Sequence, residues 1–379
     1  MAVIRGQIDT GNILSSRLDF DWSGIYERKL NQATLAFFLQ KLGKEQAIQP
    51  KFDHFEDELV TDTVTVKGAQ TVTDTTIELD DASPVVVGDV LHNPATGENM
   101  YVSAVDTSAN TVTVTRGFGG TTAAAIADDA ELKNIGSTFV EGGTLANPVS
   151  SKVEQKTNYC QIFKKTVELT GTLLASKTLG TTNEETYRID KAEREFLRGI
   201  NYAFIYGSKS VGTLNGKPFR QTGGLIEWIS TNVVDNSGNA LTEGVWDDFL
   251  RQVFDYGDSD ERLCICSSLA LKAISGFAKN KLQVTRIGNQ QYGVNVVSYV
   301  SPWGTVQLVH DRTLRGSVYG AYVFCLDLSK LKYKVLREVK FRRNVQDPGY
   351  DGVKHEFIAE VGLKVIDERS HGILKNFTA

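Results

Sequence analysis

The sequence predicts an α+β fold assembled from discontinuous pieces, and three observations predict it. Residues 158–210 pass from a strand rhythm directly into one long charged helix. Residues 63–135 shift to a Thr-, Val-, Ala-, Asp- and Gly-rich composition with short strand candidates. Residues 303–379 return to strands after a stretch in which helices and strands alternate. Strand side chains alternate between faces while a helix buries positions three and four apart, so the two rhythms separate in the sequence.

From the N-terminus, residues 1–24 carry Gly6, Gly11 and Ser15-Ser16 with no sustained period, which reads as an extended arm. Residues 25–42 read as an amphipathic helix that buries Ile25, Leu30, Ala33, Phe37, Phe38 and Leu42 and stops at Gly43. Next comes a short run with Phe52 and Phe55 among Asp53, Glu56, Asp57 and Glu58.

The 62–135 stretch is expected to be a small all-β barrel or sandwich, with strands at 63–66, 75–79, 100–105 and 111–115. Turns at 87–89, 94–97 and 107–110 separate the runs. Strand-like sequence resumes on both sides, so the simplest topology inserts this module into a long β-hairpin. Its Arg116-Gly117-Phe118-Gly119-Gly120-Thr121-Thr122 loop superficially resembles a phosphate cradle. The Gly-Lys-Ser/Thr ending is missing and the following acidic AAAIADDAEL offers no βαβ unit, so a packing turn is the simpler reading.

The long helix is marked at its start by Thr182, three residues before Glu185, as a capping box, and Gly207 marks its end. Tyr187, Ile189, Ala192, Phe196, Ile200, Ala203 and Phe204 form its core stripe. Arg188, Asp190, Lys191, Glu193, Arg194, Glu195 and Arg198 form a mixed-sign face suited either to ion pairing or to plain solvation. Beyond it, residues 242–256 predict a helix capped by Thr242 with a core face of Val245, Trp246, Phe249, Leu250, Val253 and Phe254. Residues 263–266 predict a buried strand and 267–280 a second helix. Strands follow at 306–310, 319–326, 333–341 and 355–366. Between 330 and 343, Lys330, Lys332, Lys334, Arg337, Lys340, Arg342 and Arg343 stand against a single Glu338, so the strip is expected to meet the acidic 53–58 segment of a neighbouring copy, with a solvated strand face or a wall facing nucleic acid as alternatives.

Composition narrows the function classes. A chain of 379 residues, 41% hydrophobic and 23% charged, can bury a large core and is expected to split into two or three units. A net charge of -5 argues against a dedicated nucleic-acid binder held by phosphate contacts. No eighteen-residue apolar run occurs and residues 1–20 lack an apolar signal core, so synthesis in the cytoplasm is expected. Cys160, Cys264, Cys266 and Cys325 lie in apolar runs as small buried hydrophobes. Cys264 and Cys266 share a strand face, but no second pair has zinc spacing. No metal or cofactor is expected. The carboxylate pairs Asp80-Asp81, Asp128-Asp129 and Asp247-Asp248 are adjacent and diverge in either secondary structure, and His54, His92, His310, His355 and His371 are scattered without a catalytic motif. An enzyme is not expected.

Several segments in fixed order resemble a known family. They are the N-Y-x-Q-I-F of Asn158, Tyr159, Gln161, Ile162 and Phe163, the E-D-E-L at 56–59, and Ile205-Tyr206-Gly207 with Lys209-Ser210. Gly223-Gly224-Leu225 and the Glu368-Arg369-Ser370-His371-Gly372 close complete the set. Together they resemble the major capsid proteins of tailed bacteriophages with the HK97-like fold, over most of the chain apart from about 62–135.

The resemblance implies a domain plan: an N-terminal arm, helix and start of the extended loop at 1–61, the inserted β module at 62–135, the returning loop at 136–180 and the spine helix at 181–211. An axial domain at 212–302 and peripheral strands at 303–379 complete it. It also implies self-assembly as pentamers and hexamers into an icosahedral head around double-stranded DNA, with portal, scaffolding and decoration proteins as further partners. The arm and the aromatics near 52–55 would be buried only on assembly, and the Gly- and Asn-rich loop at 231–240 would meet neighbours around the axes. The charged interface candidates are Glu56, Asp57 and Glu58, Arg188, Arg194 and Arg198, and Lys340, Arg342 and Arg343. Two other readings stay open from sequence: a carbohydrate- or receptor-binding surface protein using the β module, and a prokaryotic nanocompartment shell protein.

Overall fold

The computed structural model describes residues 43–142, 148–176, 183–278 and 296–378, with Leu35 and Leu39 besides. The expected arm and every nominated residue of the 25–42 helix stripe lie outside the described residues. Leu35 and Leu39 are helical and buried one turn apart, and neither belongs to the expected stripe. Gly43 N–H donates to Leu39 O at 3.0 Å, where the helix was expected to stop.

The chain divides into two units, Met1–His54 with Lys156–Ala379, and Phe55–Gln155. The second unit is a six-stranded barrel. Its strands β3 (Thr63–Thr65), β4 (Thr76–Glu78), β5 (Asp89–Asn93), β6 (Glu98–Asp106), β7 (Thr111–Thr115) and β8 (Glu131–Ser137) run in the order β3-β8-β5-β6-β7-β4. The ends meet through a Val66–Leu79 bridge, with Lys67 N–H donating to Glu78 O and Asp80 N–H to Thr65 O, so the sheet closes on itself. Val64, Ile77, Leu91, Met100, Val102, Val112, Val114 and Leu132 fill the interior from alternate positions. Strands β5 and β8 were missed in the sequence because each buries few apolar residues. Asp89, read there as a turn residue, opens β5 and is itself buried.

The first unit carries two larger sheets. β1 (Lys44–Gln46), β18 (Leu331–Arg342), β19 (Gly352–Val365) and β10 (Gln161–Thr170) form a four-stranded sheet in that order. β10 follows β9 (Glu154–Tyr159), which pairs with β2 (Lys51–Glu56) as a two-stranded ribbon. A short helix α1 (Gly171–Ala175) leads toward the long helix α2 (Glu184–Tyr206), which packs Phe196 on Phe357 of β19 at 6.0 Å between ring centroids, and a one-turn helix α3 (Leu225–Trp228) follows later in the chain.

The other sheet runs β13 (Val233–Asp235), β20 (Gly372–Lys375), β17 (Tyr322–Leu326), β14 (Glu261–Cys266), β16 (Gly304–His310), β15 (Val296–Ser301). Central β14 is buried on both faces, as its unbroken apolar run demands. Leu263 and Ile265 join the core under α2. Cys264 and Cys266 face Trp246, Phe249, Leu250 and Val253 of α4 (Glu243–Phe254) and Ile274 of α5 (Ser268–Ala278).

Two expectations need correction. Residues 303–379, expected as one set of peripheral strands, divide between two sheets: β16, β17 and β20 join the sheet of β14, while β18 and β19 join the sheet of β1 and β10. Local pattern identifies strands but not their partners, since pairing between distant segments leaves no short-range signal. The second concerns the cap of α2, which is Asn183, whose side chain accepts from Thr186 N–H at 3.2 Å. Thr182 lies outside the described residues, and Glu185 turns away to bind His355. Elsewhere Thr242 accepts from Val245 N–H as the expected cap, and Ser267, expected as the first residue of its helix, instead precedes it and accepts from Ala270 N–H.

Candidate assembly surfaces

The motifs behind the resemblance are for the most part buried polar locks. Asn158, 2% exposed, donates to Gly223 O at 3.1 Å and Leu363 O at 2.7 Å, and accepts from Gly223 N–H and Tyr159 N–H. Gln161 Oε1 accepts from Thr222 N–H, and Thr222 Oγ1 accepts from Leu363 N–H. One strand start is thereby tied to a turn and to β19.

That turn in turn receives the end of α2. Gly224 N–H donates to Gly207 O at 2.8 Å, and a Cβ on Gly224 would sit 2.8 Å from Ala203 O and Phe204 O, so only glycine permits the approach. Near the C-terminus, Glu368 accepts from Ser230 and Thr231 N–H, and His371 Nδ1 accepts from Asp327 N–H at 3.1 Å.

The charged candidates on α2 are partly occupied within the chain. Arg188 pairs with Glu184 at 2.7 Å, Arg194 Nε donates to Asp190 O at 3.3 Å, and Arg198 is half-buried beside Glu195. Glu195 itself binds Lys165 at 2.7 Å, which holds its carboxyl below the usual range. At the helix start, His355, 1% exposed, joins Glu185 through Nε2 at 3.0 Å while Nδ1 accepts from Asn344 N–H.

The 330–343 strip is not a continuous basic wall. Lys334 binds Glu45 at 2.6 Å, Arg337 binds Glu360 at 2.8 Å, Arg342 lies 3.7 Å from Glu356 and Lys330 3.7 Å from Asp258. Glu45 comes from β1 and Glu356 and Glu360 from β19, which adjoin β18 only after folding, and Asp258 comes from the loop before β14. Of the candidates there, Lys340 is exposed on β18 and Arg343 stacks over Phe341 at 5.4 Å.

In the acidic segment the two aromatics part. Phe52 is buried with Ala47 and Cys160, against the expectation that assembly would cover it, because β2 places it on Gly362, whose missing side chain leaves the room. Phe55 is 71% exposed, as are Asp57 and Glu58 for the most part, with Glu56 half-buried. Asp57 accepts from Ser151 Oγ at 2.7 Å.

The expected contact loop at 231–240 is braced from within the chain, while Ser237, Gly238, Asn239 and Ala240 at its tip are exposed. β13 joins β20, and Asn236 donates to Asn239 O and Ala240 O. A feature absent from the sequence reading is the hairpin of β11 (Ser210–Leu214) and β12 (Lys217–Gln221). Its Asn215-Gly216 turn, both residues at positive φ, is the signal that marks it.

The Gly-rich loop of the barrel does cradle an anion, its own Glu98. That fully buried carboxylate accepts from Arg116 Nε at 2.7 Å and Nη2 at 2.8 Å, from Gly117 N–H at 3.1 Å and from Ala124 N–H at 3.0 Å. Burial alone would raise its pKa, but these bonds outweigh it and hold the carboxyl below the usual range. Among the described residues no group of three or more His, Cys, Asp or Glu is placed to hold a metal. The four cysteines are free and buried, which pushes the Cys160 thiol up to about 12.

Comparison with known proteins gives this arrangement a context. A family model described as SU10 major capsid protein matches residues 30–378. The major capsid protein of Pseudomonas phage PaMx41 is 29% identical over 233 residues, 59% of this chain, and the match spans 54% of that relative's length. Among solved structures, the chain is similar to one from the capsid of a native GTA particle, with a TM-score of 0.51 and 14% identity over 96% of this chain and 97% of that one. It is also similar to one from Mycobacterium phage Bobi, with a TM-score of 0.50 and 8% identity over 99% and 100%. At such identities the likeness speaks for the fold, the HK97-like capsid fold expected from the sequence.

Proposed function

The chain belongs to the SU10 major capsid protein family, and from that premise we propose that it builds the icosahedral head of a tailed, double-stranded DNA phage by self-assembly as pentamers and hexamers. The observation that carries the reading is the family match itself, which runs from residue 30 to 378 through both units. The protein resides in the virion, is assembled in the host cytoplasm, and meets portal, scaffolding and decoration proteins there. It encloses the genome through non-specific contact, in keeping with its net charge of -5. Its role is structural, with no catalytic step.

The physical mechanism is multivalency. Each contact between subunits is modest, but a closed shell repeats it over every copy, so the sum stabilises the particle without one dominant interface. Glu56, Asp57, Glu58, Arg188, Arg194, Arg198, Lys340, Arg342 and Arg343 remain the charged interface candidates. Asp57, Glu58 and Lys340 stand foremost because they are exposed. The test is negative-stain electron microscopy of the purified protein from the void volume of a sizing column. Shells, tubes or capsomer rings are expected; compact monomers persisting across salt, concentration and added scaffolding protein would overturn the reading.

A further inference from the structure

We propose that the hairpin at residues 210–221 is a docking site for the acidic, apolar 55–60 segment of a second copy of this chain. The inference rests on the shell reading above and assigns one of its contacts.

The hairpin needs a partner. Val211 is 53% exposed, Leu214 66% and Phe219 44%, and the strand register sends Val211 to one face and Leu214 with Phe219 to the other. A two-stranded hairpin with apolar side chains open on both faces is marginal in water by itself. It is nonetheless held in shape. Asn215 and Gly216, at φ 51 and 72, make a tight turn, and the Phe219 ring lies over Gly212, where a Cβ would be 2.6 Å from it. The hairpin is thus a preformed arm with three apolar side chains on offer.

Charge selects the occupant. Lys209, Lys217 and Arg220 flank those side chains, and no Asp or Glu occurs from 208 to 226. Among the described residues neither Lys217 nor Arg220 is in an ion pair, whereas Lys334, Arg337 and Arg342 of the 330–343 strip pair with carboxylates of their own sheet. The complementary surface lies on the same polypeptide: Phe55 71% exposed, Leu59 93% and Val60 39%, interleaved with Glu56, Asp57 and Glu58, and no Lys or Arg from 52 to 66. Apolar contact with opposite charge at its rim gives both burial and register. A shell supplies every copy with a neighbour, so each hairpin and each acidic segment can be matched in a repeating head-to-tail contact.

The test combines charge reversal with a disulfide trap, in the full-length chain, read by electron microscopy and non-reducing gels. Lys217→Glu with Arg220→Glu is expected to abolish shells while leaving the circular dichroism spectrum unchanged, since both side chains are at the surface. Adding Glu56→Lys, Asp57→Lys and Glu58→Lys to that variant should restore them. Leu59→Cys with Phe219→Cys should give a ladder of covalent multimers on oxidation of assembled material, over a clean background because the native cysteines are all buried.

Shells in normal yield from the charge-reversed hairpin, or no rescue by the compensating change, overturn the inference. So does a trap that closes only within monomers, which would place the contact inside one chain. If the wild-type protein forms no shells, the shell reading itself falls; shells without a ladder sink this contact alone.

Discussion

Asn158 shows how much one side chain can hold. Its amide satisfies two carbonyls and two N–H groups from three separated segments, all in the buried interior. Asn158→Ala orphans those groups, and a buried unsatisfied group costs about 1–3 kcal/mol. We therefore expect a loss of about 3 kcal/mol, read as a lower urea midpoint for the unassembled protein.

His371 supplies a pH dependence. It is fully buried, and burial first, with Arg262 opposing Asp327 nearby, lowers its pKa from 6.5 to about 4. Unfolded, it takes up a proton below about 6.5 while the folded protein refuses it, so the stability it contributes is complete above that pH and declines toward pH 4. The integrated loss is about 3 kcal/mol, from 1.4 kcal/mol per pKa unit. His371→Asn should flatten the stability curve between about pH 6.5 and 5, above the range in which ordinary carboxylates titrate.

At the scale of elements, the barrel depends on an ion pair in place of a larger apolar core. Arg116 also donates to Thr71 O at 2.9 Å and Asp74 O at 3.0 Å, so it joins the loop before β4 to the one after β7 through Glu98 on β6. Removing either partner leaves a buried charge. Arg116→Met alone should destabilise the barrel by about 3–5 kcal/mol, while Arg116→Met with Glu98→Leu should cost far less. Limited proteolysis within 62–135 reports the difference. The Glu98 carboxyl is held below its usual range, so its contribution is present above about pH 4.5 and fades on further acidification.

The hairpin turn is a second element-level prediction. Gly216 at φ 72 has open space around it, so Gly216→Ala meets backbone strain of about 1–2 kcal/mol and no clash. The variant should fold, yet assemble more slowly if the hairpin is an interface, which light scattering during assembly would follow.

For the whole molecule, the long helix organises one core and the central sheet joins it to another. Phe196, Ile200 and Phe204 of α2 share a cluster with β10, β18 and β19, and with Leu263 and Ile265 of β14. Cys264 and Cys266 on the opposite face of that strand belong to the second cluster. Damage to β14 should therefore be felt by both layers at once. The barrel has its own apolar cluster, and replacing residues 62–135 with a short Gly-Ser linker should leave the cooperative unfolding transition of the remaining unit in place. Loss of that transition by calorimetry would show that the remaining unit needs the barrel to fold.

The sequence by itself determined the fold class, the long helix and α4, about half of the described strands, and the family, because these depend on local periodicity, caps and the order of short motifs. Thr242 and the α4 stripe were legible for that reason, and Asn215-Gly216 carried a readable turn signal. Only the tertiary structure decided which strands pair, that Phe52 is covered within its own chain, and that the basic strip is cancelled by Glu45, Glu356 and Glu360. It also decided that Glu98 fills the glycine loop from a strand eighteen residues away. In each case the partner lies far along the chain. Coulomb attraction, hydrogen bonding and packing act over a few ångströms of space, and separation in sequence says nothing about that distance until the chain has folded.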